Sequence, residues 1–194
     1  MFHRPLILAS TSPYRRALLA RLGLPFVVES PGTDETATGP EAPAARAARL
    51  ARAKALAVAR RHPDAIVIGS DQVAALGRTV LDKPGSAARC REQLGALAGR
   101  TADFHTACAL VGIDAGIDAA HTDLTRVVTR PLTADEIARY VEREQPFDCA
   151  GGFKAEALGV ALFERIESTD PSALVGLPLI WLAGALRDAG FAVP

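Results

Sequence analysis

Pro5-Leu6-Ile7-Leu8-Ala9-Ser10-Thr11-Ser12-Pro13-Tyr14-Arg15-Arg16-Ala17-Leu18-Leu19 decides the fold. Leu6 to Ala9 have the length and bulk of a buried strand. Ser12 offers a hydroxyl N-cap, and Pro13 suits the first helical position, where its missing N–H would go unpaired anyway. Tyr14, Leu18 and Leu22 recur at helical spacing, Gly23 marks the stop and Pro25 blocks continuation. The chain therefore opens as strand, tight turn and helix. Arg15 and Arg16 fall in the first helical turn, where cations oppose the helix dipole at a cost of a few tenths of a kcal/mol each. An anion docked on the helix N-terminus reverses that cost, since free N–H groups, the hydroxyls of Ser10 and Ser12 and two guanidinium forks then converge on it. Two readings stand on these residues: a phosphate cradle, or a capped surface helix with two solvated arginines.

Working outward, 194 residues give one domain, 1–194, with a sizeable core. Hydrophobic residues at 49% and charged residues at 23% are ordinary for a soluble protein. Lys and Arg balance Asp and Glu at 22 each, so no global field draws the chain to nucleic acid or membrane and any anion site is local. Cys90, Cys108 and Cys149 are too few and too widely spaced for a disulfide framework or a zinc site, which suits a reducing cytoplasm. His3, His62, His105 and His121 lack metal-ligand spacing and read as structural or solvated. No signal peptide or membrane span is evident.

Phe26–Glu29 reads as a second strand. The polar loop from Ser30 to Pro43 is long for a compact domain and carries Asp34 and Glu35. Ala44 to Arg61 is helical, with arginines that are mostly solvated or ion-paired, but Lys54 lies in line with Leu50 and Val58 on the apolar stripe. It either snorkels at the core's edge or reaches into a site. Ala65–Gly69 is a buried strand, and Ser70-Asp71-Gln72 places a carboxylate just past its C-terminal edge, where α/β sheets build sites. As a turn or cap residue Asp71 would be equally ordinary. Val73–Leu81 reads as a hairpin about Gly77-Arg78, followed by Asp82-Lys83-Pro84, and Ser86–Leu97 as a helix. Thr101–Ile113 and His121–Thr129 read as an antiparallel pair joined by Asp114–Ala120. Thr133-Ala-Asp-Glu136 is a capping box. Val160–Ile166 reads as a strand, Thr169–Gly176 as a turn, and a helix runs on to Ala189. With Ile180, Trp181, Leu182 and Leu186 that helix is apolar on more than one side, so it lies centrally in the core or at a subunit interface. The element order gives an α/β fold with a twisted, mixed sheet flanked by helices.

Ser10-Thr-Ser-Pro-Tyr-Arg-Arg resembles the Ser-x-Ser-Pro-x-Arg signature of the Maf-like nucleoside triphosphate pyrophosphatases. Arg49-Leu-Ala-Arg-Ala-Lys54-Ala, Gly69-Ser-Asp71-Gln, Lys83-Pro84, Ala150-Gly-Gly-Phe-Lys154-Ala-Glu156 and Val175-Gly-Leu-Pro178 resemble that family's later segments, in the same order. Asp82 departs mildly from the residue common there. The resemblance implies an elongated molecule with a cleft between two lobes, a homodimer, and hydrolysis of the α–β phosphate bond of a nucleotide. It further implies Asp71 as general base and Ser10, Ser12, Arg15, Arg16, Glu35, Lys54 and Lys83 as substrate ligands. Glu35 and Asp71 are hard oxygen ligands suited to Mg²⁺ or Mn²⁺. Tyr14, Gln72 and Glu156 resemble the 7-methyl-GTP branch rather than the dTTP/UTP branch. Methylation at N7 makes guanine cationic, and an aromatic face attracts such a ring. A non-catalytic regulator of cell division and a phosphatase are the rival classes; no P-loop is present.

Overall fold

In a computed structural model, residues 4–36, 39 and 41–193 are described, so the reading of His3 lies outside the described residues. β1 (Leu6–Ala9) is buried along its whole length, and its side chains alternate between two faces of a sheet. Ile7 and Ala9 pack beneath α2 (Pro43–Ala59), with Ala47, Ala51, Ala55 and Val58. Leu6 and Leu8 pack beneath α1 (Pro13–Ala20) and α5 (Leu179–Asp188), with Leu18, Leu19, Leu182 and Leu186.

The sheet is mixed. Its strands β2 (Val27–Glu29), β3 (Ile66–Leu76), β5 (Thr101–Gly112), β6 (Ile117–Thr129) and β7 (Phe163–Glu167) run in the order β2-β1-β3-β5-β6-β7, and β4 (Thr79–Leu81) pairs with β3 off that path. β1 is parallel to β2 and β3, and the remaining pairings are antiparallel. Beyond the reach of β1 the long strands carry a third hydrophobic cluster under α3 (Ala87–Leu97) and α4 (Ala134–Glu144), centred on Phe104, Phe153, Leu94 and Tyr140. The helical layers thus sit at two ends of the long strands, with a cleft lined from both.

Local signals act as their chemistry dictates. Ser12 caps α1 by accepting from the Arg15 N–H, with Pro13 at the helix start. Thr133 and Glu136 close a reciprocal capping box on α4. Three boundaries differ from the sequence reading. β3 does not end at Gly69 but runs to Leu76, so Asp71 lies within a strand. The polar trio stays in the sheet because Ser70, Asp71 and Gln72 pair with Cys108, Ala107 and Thr106 of β5, and all three side chains find partners. β6 begins at Ile117, because pairing continues to Gly112↔Ile117 and confines the turn to the few residues between. Leu158–Leu162 is a 3₁₀ segment, and β7 starts only at Phe163. On α5, Leu182 and Leu186 enter the core while Ile180 is 64% exposed. No helix among the described residues is long and apolar enough to cross a membrane.

Candidate functional site

The period of two along β3 sorts its polar residues. Asp71 shares a face with Val67 and Val73, towards α2, while Ser70 and Gln72 share the opposite face. Gly69 lets α2 approach: a Cβ there would lie 2.2 Å from the Ala51 carbonyl oxygen and 2.6 Å from the Ala55 nitrogen. That closeness brings Lys54, on the fourth turn of α2, onto Asp71. Lys54 is 5% exposed, and its ammonium donates to Asp71 Oδ1 at 2.6 Å, with Glu35 Oε1 at 2.7 Å. Lys54 is therefore no snorkelling residue but a buried cation between two carboxylates. Burial works against the ionised form of Glu35, yet the hydrogen bond and charge of Lys54, aided by Lys83 and Arg15, hold its carboxyl below the ordinary range.

On the other face, the turn at 173–176 acts as a rack of carbonyl oxygens. Gly176 accepts from Arg15 Nε at 2.9 Å and from the Ser70 hydroxyl at 2.9 Å. Ala173 accepts from Thr106 and from Gln72, which also donates to Leu174. Gly176 has φ +125°, and a Cβ there would sit 3.5 Å from Arg15 Nε, so a side chain would be strained beside that bond. Buried Asp170 fixes the turn by accepting from the Ser172 N–H and hydroxyl and from the Ile180 N–H. Desolvation pulls the Arg15 pKa down while Asp71, Cys108 and Glu35 oppose it; an arginine so placed stays a cation. With Nε anchored, its two terminal nitrogens are left to bind an anion bidentately.

Two adjoining depressions share Glu35, Gln72, Lys83 and Ala150 on their walls. The first, about 280 Å³, is lined by the Ser10–Arg15 turn, Tyr14, Phe104, Phe153, Asp148 and Glu156. The second, about 300 Å³, holds Asp71 with Arg46, Leu50 and Lys83. Ser10 is buried, its hydroxyl accepting from the Ser12 N–H at 3.1 Å. Tyr14 belongs to the first depression rather than to the apolar stripe, and its hydroxyl donates to Asp148 Oδ2 at 3.2 Å. Burial, Cys149 and Asp148 push its phenol above the ordinary range. Glu156 is exposed on the same wall.

Not every expected residue joins. Arg16 is exposed and lines a separate depression with Ala20, Leu24 and Phe26. Successive helical residues diverge by about 100°, so Arg15 and Arg16 cannot both face the cleft. Gln72 lines both depressions, but its amide nitrogen is committed to Thr106, Ala173 and Leu174, leaving its carbonyl oxygen for any ligand. Asp148, Ser70, Thr106 and Arg46 were not singled out by the sequence. Arg46 carried a signal, since with Leu50 it lies four and eight residues before Lys54 on one helix face. Asp148 carried none.

The donor set bears on a metal. Glu35 and Asp71 each keep a second oxygen beyond the one on Lys54, and among the described residues no group of three or more His, Cys, Asp or Glu could hold an ion. Two carboxylates fit a hard cation that completes its shell with phosphate oxygens and water.

A family model described as Maf-like protein matches residues 5–189. A 7-methyl-GTP pyrophosphatase from Xanthomonas axonopodis pv. citri is 56% identical over 189 residues, spanning 97% of this chain and 98% of that protein. Proteins of the same name from Polaromonas sp. and Aromatoleum aromaticum are 52% and 51% identical, over 98% and 100% of this chain and 87% and 100% of their own. A solved HAM1 protein from Coxiella burnetii superposes with a TM-score of 0.51 over 96% of this chain and 100% of its own, at 16% identity, a likeness of fold alone.

Proposed function

We propose, because this chain belongs to the Maf-like protein family, that it hydrolyses the α–β phosphate bond of a nucleoside triphosphate, 7-methyl-GTP foremost, to the monophosphate and pyrophosphate. The observation that carries the reading is the buried Lys54 bridging Asp71 and Glu35, beside the depression that the Ser10–Arg15 turn lines. A module that only bound nucleotide would need the cations but has little use for a buried, oriented carboxylate.

In this reading the terminal nitrogens of Arg15 and the hydroxyls of Ser10 and Ser12 hold phosphate oxygens in the first depression. Lys83, exposed on the wall shared by both depressions, neutralises the chain of phosphates from the other side. Asp71, held by Lys54 through one oxygen, uses the other to align a water and take its proton as the water oxygen bonds to the α-phosphorus. The bond to the bridging oxygen breaks, and pyrophosphate leaves with the electron pair. Mg²⁺ or Mn²⁺, held by Glu35 beside Asp71, would supply charge neutralisation on the phosphates when bound.

For the base, Tyr14 offers an aromatic face to a cationic ring. Asp148, Glu156 and Cys149, whose thiol burial and Asp148 push up to about 12, add no positive charge to that wall. Glu156 accepts from the guanine N1–H and amino group. The proposal extends to a homodimer, to which exposed Ile180 offers apolar surface, and to the cytoplasm, where the free Cys90, Cys108 and Cys149 are at home.

The test compares 7-methyl-GTP with GTP, UTP and dTTP, for wild type and Glu156→Gln. A preference for 7-methyl-GTP that Glu156→Gln weakens supports the reading. A preference for UTP or dTTP would move the chain to the other branch, and binding without turnover would make it a regulator.

A further inference from the structure

Arg46 is a charged group of the cleft with no part in the reaction as described. Its Nε is buried and has no hydrogen-bond partner among the described residues, while the side chain lines the second depression with Asp71, Lys83 and Leu50. A buried donor left unpaired lowers stability unless something outside the fold completes it, so it calls for an explanation. The neighbouring arginines of α2 need none: Arg49 is paired with Glu41 and Arg52 with Asp118. Arg46 differs from them by its helix face. It lies two turns, about 12 Å of axial rise, ahead of Lys54, on the same stripe. Lys54 marks the place of the reacting carboxylate, so Arg46 marks a place further along the same wall. Lys83 lines the same depression, and its charge acts on Glu35 there.

From this we infer that Arg46 and Lys83 form the subsite for the leaving pyrophosphate, with Arg46 as a substrate-binding residue of the reaction. The inference rests on the reaction proposed above. With the base in the first depression, the α-phosphate lies at the wall of Glu35 and Lys83 that the two depressions share, on the side of the second depression that Asp71 borders. The β- and γ-phosphates run on from it, away from Asp71 and towards Arg46. There the guanidinium of Arg46 meets two phosphates whose negative charge grows as the bridging bond breaks. A planar fork of donors matches phosphate oxygens better than a single ammonium does.

Titration calorimetry with inorganic pyrophosphate and Mg²⁺ tests this without any turnover. Wild type should bind pyrophosphate, and Arg46→Ala should raise the Kd about tenfold, or about 1.4 kcal/mol. Arg46→Lys should recover part of the loss, because it restores the charge without the fork. Binding of 7-methyl-GMP should shift less than twofold in both variants, and melting temperatures confirm that each is folded. An unchanged Kd for pyrophosphate in Arg46→Ala, equal losses for pyrophosphate and monophosphate, or no pyrophosphate binding by wild type would each overturn the assignment. The parent reading fails by a different observation, release of orthophosphate instead of pyrophosphate during turnover, so the two failures are distinguishable.

Discussion

Replacing Lys54 by Met keeps the buried stem and deletes only the ammonium. The cost follows from what that ammonium touches. Its bond to Asp71 Oδ1 is 2.6 Å long, with side chains 6% and 11% exposed, whereas the Glu35 side chain in its other pair is 60% exposed. Removing one partner of a buried pair costs about 3–5 kcal/mol, chiefly because the other charge is stranded. An exposed pair contributes about 0–1 kcal/mol. Asp71 borders a depression open to water, so the lower figure applies and Lys54→Met should lose about 3 kcal/mol. For a chain of this length that corresponds to about 6–12 °C in melting temperature. Asp71→Asn in the same background removes the stranded charge, and the double mutant should be less destabilised than the sum of the singles by about 2 kcal/mol. Denaturant unfolding of the four proteins measures the cycle. Additivity within about 0.5 kcal/mol would refute the claim that Lys54 and Asp71 form one electrostatic unit.

Other consequences follow from single contacts. Gly69→Ala puts a methyl 2.2 Å from the Ala51 carbonyl oxygen, so α2 must shift; a stability loss of at least about 2 kcal/mol should accompany loss of activity, and a fully active, equally stable variant would contradict the packing account. The Thr133 backbone N–H, with Arg130 and the Thr133 hydroxyl, holds the Glu136 carboxyl down at about 2 from an ordinary 4.5. A depressed carboxylate stabilises fully above its unfolded pKa and loses that contribution as pH falls through the folded one. Melting temperatures of wild type and Glu136→Gln should therefore differ at about pH 6 and converge towards about pH 2; a gap that widens in acid would reverse the sign. Tyr14→Leu should cut the preference for 7-methyl-GTP over GTP about 3–30-fold, the range of a cation–π contact, while Tyr14→Phe keeps most of it. A preference retained in Tyr14→Leu would remove the ring from base selection.

The opening strand, turn and helix were readable because each signal is local: an apolar run, a hydroxyl cap, a proline at the helix start. The same holds for the capping box at Thr133 and for the mixed α/β order. Asp71 was misplaced within its strand because Ser-Asp-Gln reads as a turn by propensity, and pairing with β5 overrides propensity. The start of β6 was lost for a similar reason, since Asp114 to Ala120 has turn composition but its second half is claimed by the ladder with β5. In the candidate site, the stripe position of Lys54 pointed inward, but two readings fitted it until Gly69 showed how closely α2 approaches the sheet. Arg15 and Arg16 could not be told apart by composition, only by helix geometry. The carbonyls at Ala173, Leu174 and Gly176 were invisible altogether. Backbone acceptors have no residue identity, and their partners Ser70, Gln72 and Arg15 lie more than a hundred residues away.

In the proposed reaction a water aligned by Asp71 attacks the α-phosphorus. Turnover of 7-methyl-GTP in water labelled with heavy oxygen, followed by mass spectrometry of the products, tests it directly. One heavy oxygen should appear in the nucleoside monophosphate and none in the pyrophosphate, with turnover abolished in Asp71→Asn. Label in pyrophosphate or orthophosphate, or undiminished turnover in Asp71→Asn, would contradict it.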